Sequence, residues 1–136
     1  MSAEALPVDV ADTAPPPRAR KFRQAAFVYL HVGILYELAV LTVARAGLLP
    51  AGRGPLWVWL FFGAVIVAVV FWALWSKQLV WVARLVWAAH LLRLPALIGG
   101  AFFPRQSAAF PPSFYMFALV VVLLNAWMLA RAGWDL

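Results

Sequence analysis

The chain has 136 residues, of which 66% are apolar or aromatic and only 12% charged, whereas a soluble domain is ~45–50% apolar and ~25% charged. That balance excludes a soluble globular protein. Four spans of ~20 residues would leave only loops and a tail, with no room for a soluble catalytic domain. The net charge of +6 sits mostly at the ends of apolar segments, which marks topology and not a nucleic-acid surface. The chain has no cysteine, so disulfides, thiolate metal sites and iron–sulfur clusters are outside its own chemistry.

In chain order, residues 1–21 mix acids with a proline run and read as a disordered N-terminal tail. Arg18, Arg20, Lys21 and Arg23 then precede a first span at about 24–46, and this basic cluster should hold the N-terminus in the cytoplasm. The span ends in Ala44-Arg45-Ala46, which resembles a signal-peptidase site, but the apolar stretch is longer than the ~7–15 residues of a signal sequence. Gly47, Pro50, Gly52, Gly54 and Pro55 break the helix. A second span follows at 56–75, with Trp57, Trp59, Trp72 and Trp75 at its two ends as in an aromatic belt. No glycine or proline follows it. A continuous helix from Leu56 to Leu94 would nevertheless run ~58 Å through a ~30 Å hydrocarbon core, so a tight hairpin is expected at Lys77. The third span, 79–103, contains Pro95 and ends near Gly99-Gly100, where a kink or unwinding is expected. In the fourth, 113–132, Ser113 is placed to cap the start and Gly133 the end.

The fold class expected is therefore all-α: an integral membrane bundle of four transmembrane helices, with a domain spanning 22–136. With both termini inside, Arg18, Arg20, Lys21, Arg23, Lys77 and Arg131 are cytoplasmic, against Arg45, Arg53 and Arg105 outside. Six against three supports that orientation. Small residues four apart, Ala64/Ala68, Ala96/Gly100 and Ala126/Ala130, could let helix backbones approach. Heavy use of alanine, arginine and tryptophan suggests a GC-rich bacterial source, and hence the inner (plasma) membrane.

An ionisable group at mid-span costs ~2.5–3.5 kcal/mol on insertion scales, so each one present needs a partner, water or a function. Counting a rise of ~1.5 Å per residue from Arg23 and Lys77 puts His31 about 12 Å deep, Glu37 about 21 Å, Arg84 about 10 Å, His90 about 20 Å and Arg93 about 24 Å. Two polar layers result. Glu37, His90 and Arg93 form one, in which Glu37 and Arg93 are expected to pair. The other holds His31, Arg84 and Asn125, with Arg84 also shallow enough to snorkel. His31 and His90, on different helices, offer a b-type haem alternative through axial ligation, although their depths differ by about 8 Å.

No phosphate-binding loop, metal-ligand cluster, catalytic triad or paired carboxylates occur, so neither enzymatic activity nor a metal cofactor is expected. The partners expected are the lipid bilayer, a membrane protein or a second copy of the chain, and no nucleic acid. The expected function is that of a non-catalytic accessory or scaffolding subunit, or a homo-oligomer. A minimal channel or transporter using Glu37, His90 and Arg93 is the alternative, and a haem b electron carrier the third. Whether the polar layer meets water or is sealed between helices separates the first two.

Overall fold

In a chain this apolar, each segment that crosses lipid must satisfy its own backbone hydrogen bonds, which favours helices throughout. The computed structural model describes residues 16–49, 54–103 and 110–136. Four helices make up nearly all of them: α1 (Pro17–Arg45), α2 (Leu56–Trp75), α3 (Val80–Phe102) and α4 (Pro112–Trp134). Each is long and apolar enough to cross a bilayer, and the protein is an all-α membrane bundle.

Helix α1 begins earlier than its hydropathy suggests, at Pro17, a residue whose fixed φ and missing N–H suit the first helical position. Residues 17–21 of the expected tail are thus helical, and residues 1–15 lie outside the described residues. At 29 residues the helix is ~44 Å long, more than the ~30 Å hydrocarbon core. Its first turns, with Arg18, Arg20, Lys21 and Arg23, therefore extend beyond the lipid tails. The far end closes in a Schellman motif: Leu48 N–H reaches the Val43 carbonyl at 3.1 Å and Gly47 N–H that of Ala44 at 3.0 Å. Gly47 sits at φ +70°, where a side chain would be strained.

The hairpin at Lys77 is present. Helix α2 ends at Trp75, Gln78 takes a left-handed φ of +50°, and α3 starts two residues later. Helix α3 runs unbroken through Pro95, Gly99 and Gly100, so the expected unwinding does not occur. Gly100 instead makes room for a neighbour, since a methyl group there would lie 2.5 Å from Cγ of Tyr115 on α4. The caps of α4 also differ from expectation. Ser113 lies inside the helix behind Pro111 and Pro112, and Gly133 is still helical, while Asp135 supplies the left-handed C-cap at φ +58°.

Both ends of the described chain lie together, because Lys21 Nζ bridges Asp135 at 2.7 Å. The hairpin turn shares this end, as Arg23 lies over the Trp75 ring at 5.6 Å and Lys77 over Trp72 at 5.4 Å. Cations over aromatic rings at one level suit a membrane–water boundary. The largest fully buried side chains, Phe22, Leu74 and Leu129, fill this end among small neighbours such as Ala25, Ala26 and Ala83. A smaller cluster around Val43, Phe114 and Ala118 joins α1 to α4 at the far end.

The helices follow chain order around a ring, but with unequal contacts. Helix α1 packs on α2 and on α4, and α3 packs on α4, while α2 and α3 make the sparsest contact and α1 stands diagonally from α3. The buried residues of α2, Val70, Ala73 and Leu74, all lie near the hairpin. Beyond them α2 and α3 separate.

Candidate functional site

The separation of α2 from α3 leaves a cavity of about 390 Å³ between the two hydrophobic clusters. Helix α1 lines it with Tyr29, Gly33, Tyr36 and Glu37, a spacing that puts all four on one helical face. Helix α2 contributes an apolar wall that includes Trp59 and Ile66. His90 and Arg93 come from α3, and Asn125 from α4. The three residues expected to share one layer, Glu37, His90 and Arg93, thus border a single space.

Glu37 and Arg93 do not form the expected ion pair: among the described residues the one salt bridge is that between Lys21 and Asp135. The reason is lateral. Depth along a helix follows from its fixed rise, but α1 and α3 are diagonal partners, so groups at similar depth face each other across the cavity. Glu37 turns instead toward α2. A methyl group on Gly63 would overlap its Oε1, so the carboxylate lies against backbone that only a glycine leaves open. It stands in the α1–α2 seam and also borders a second, almost wholly apolar groove on the outer side of that seam, which Ala64 and Ala68 help to line.

His90 is 9% exposed, and its Nδ1 lies 2.8 Å from the Val86 carbonyl. A carbonyl only accepts, so Nδ1 carries the proton and donates. The free edge of the ring, Nε2, is then an acceptor while the ring is neutral. The ring centroid lies 6.1 Å from that of Tyr29, and the Arg93 charge is within electrostatic reach of both side chains. Arg93 itself is exposed and lies at the rim of the cavity. Asn125 is 3% exposed, and its Oδ1 meets no donor among the described residues. A buried acceptor left without a donor costs about 1–3 kcal/mol.

The second expected layer does not assemble. His31 is exposed on the outside of the bundle, its Nδ1 donating to the Phe27 carbonyl at 2.8 Å and its ring 4.0 Å from that of Phe27. Arg84 reaches the end of α4, where Nε donates to the Gly133 carbonyl at 3.0 Å and the guanidinium lies 5.1 Å from the Trp134 ring. It satisfies one of the carbonyls that a helix C-terminus leaves free. Asn125 joins the cavity group instead, because α4 continues to Trp134 and so places Asn125 deeper than a count from Arg131 implies. Since His31 faces outward and His90 faces the cavity, the two histidines do not share a space in which a haem could be held between them.

Sequence reasoning passed over Tyr29, Tyr36 and the two seam glycines, Gly33 and Gly63. For the three on α1 the signal was present in the spacing, since Tyr29, Gly33 and Tyr36 share a helical face with Glu37, the one acid of the spans. The chain matches no family model, no curated protein and no solved structure.

Proposed function

We propose that the protein is a minimal carrier or channel that binds a small polar or amphiphilic solute within the bilayer, with Glu37, His90, Arg93 and Asn125 as its polar contacts. The observation that carries this reading is that Glu37 and Arg93 border one cavity without neutralising each other. A purely structural pair offsets its burial by closing the contact. Two groups in the spans with no ion-pair partner among the described residues call instead for water or a bound partner. The reading requires binding and passage and no covalent chemistry. Both termini are assigned to the cytoplasm on the distribution of basic residues, and a bacterial inner membrane on the heavy use of alanine, arginine and tryptophan.

A second reading, an accessory subunit or homo-oligomer, draws support from the exposure of Arg93 and of the His31 ring on the single chain, which an acidic group on a partner helix could cover.

The absence of native cysteine makes a direct test clean. Single Val121→Cys and Val122→Cys variants place a thiol on the cavity wall. Leu129→Cys buries one in the packed end, and Val120→Cys turns one toward lipid. In vesicles, a charged methanethiosulfonate should modify the two cavity positions and spare both controls. Cavity thiols as inert as that at position 129 would mean a sealed, dry layer and would overturn the solute-binding reading in favour of the subunit.

A further inference from the structure

We infer that the ligand of this cavity is a zwitterion with a primary ammonium and an anionic oxygen group, the chemistry shared by a phosphoethanolamine headgroup and a free amino acid. The inference rests on the solute-binding reading and adds the identity of the solute. Its basis is the unequal distribution of donors and acceptors around the cavity.

Beside the Tyr29 and Tyr36 hydroxyls and the Asn125 amide, which can donate or accept, the cavity holds an acid and an imidazole acceptor. The Glu37 carboxylate lies in the α1–α2 seam, and His90 presents Nε2 because Nδ1 is committed to Val86. A primary ammonium brings a positive charge for the acid and three N–H donors for acceptors of this kind. A quaternary ammonium has no N–H and would leave His90 Nε2 without a donor. An anion alone would gain from Arg93 but would meet Glu37 as a like charge.

The complementary charge is at the rim. Arg93 is exposed, without an ion-pair partner among the described residues, and on the helix diagonal to Glu37, and its planar fork of donors suits a phosphate or carboxylate. A molecule that spans from interior to rim therefore meets the acid with its cation and the guanidinium with its anion. The sparse contact between α2 and α3 opens the same space sideways to the bilayer, where acyl chains attached to such a headgroup would remain in lipid.

Native mass spectrometry of the intact chain in mild detergent tests this with five probes at equal concentration. These are phosphatidylethanolamine, phosphatidylcholine, phosphatidylglycerol, free phosphoethanolamine and glycine. Phosphatidylethanolamine should be retained at least about tenfold better than phosphatidylcholine or phosphatidylglycerol, the discrimination expected from losing one hydrogen bond to a charged group. Retention of phosphoethanolamine or glycine without the lipid would keep the zwitterion and assign it to a soluble source. Glu37→Gln and Arg93→Gln should each reduce retention, and Arg93→Lys should restore part of it. The comparison among probes on the unmodified chain stands even if a variant fails to fold. Equal retention of the ethanolamine and choline lipids, preference for phosphatidylglycerol, or retention of none of the five would overturn the inference. If Val121→Cys and Val122→Cys are still modified in that case, a cavity for some other solute remains.

Discussion

Glu37 and Arg93 carry opposite charges at similar depth, yet the carboxylate lies over Gly63 and the guanidinium at the rim of the cavity, with no ion pair between them. Their removal should therefore act independently on stability. Glu37→Gln and Arg93→Gln are each expected to shift the melting temperature in detergent, and the double variant should show the sum of the two shifts, converted to free energy, within about 0.5 kcal/mol. Recovery of stability in the double variant would reveal a direct pair in the membrane. Depth made both residues legible as members of one layer, since the rise of a helix is fixed. The choice of neighbour was not legible, because it depends on which helices stand side by side. Glycine at 63 is a clue that only becomes readable once α2 is known to face α1.

At the scale of elements, spans and breaks were the most readable features. The start of α2 and its end at Trp75 coincide with Pro55 and the Trp-Ser-Lys sequence, and the geometric impossibility of a ~58 Å span located the hairpin without a glycine or proline. Helix ends that depend on contacts made elsewhere were not readable. The first turns of α1 are amply supported by a proline start and by Lys21, which reaches across to Asp135 beyond α4. The hydrogen bond from Lys21, reinforced by its charge, holds the Asp135 carboxyl below the usual aspartate range. A carboxyl depressed in the folded state contributes stability above its unfolded pKa of ~3.9 and loses it as pH falls through the lower folded value. Asp135→Asn should therefore melt slightly below the unmodified protein at pH 7. That difference should narrow and then vanish as the pH is taken below the aspartate range. A difference independent of pH would place the effect in the left-handed backbone at 135 and not in the bridge.

For the whole molecule, hydropathy was enough to give four helices and no more than that about their arrangement. In water, the buried face of a helix differs in composition from its exposed face. In lipid both faces are apolar, and association depends on local fit between surfaces. The ring keeps chain order, but the tight pairing of α3 with α4 and the gap between α2 and α3 that makes the cavity are absent from any periodicity. The topology itself is testable. Reporter fusions at Lys77 and after Gly133 should give cytoplasmic signals, and fusions near Gly52 and Ser107 signals from the opposite side. A cytoplasmic signal at both of the latter would reverse the assigned orientation.

The pairing of α3 with α4, and its sparse contact with α2, bear on how the protein is made. Spans enter the bilayer in chain order, and α1 finds α2 as soon as the second span arrives. Helix α3 has no such reception. Its close partner is α4, the last of the four, and until that helix inserts, His90 and Arg93 have neither Asn125 nor the packed end of the bundle beside them. The polar side chains that α3 brings to the cavity thus make it a poor resident of lipid on its own, and the membrane insertion machinery must hold it, or tolerate it, through one further round of synthesis. Completion of the cavity and insertion of α4 are, in this architecture, a single event.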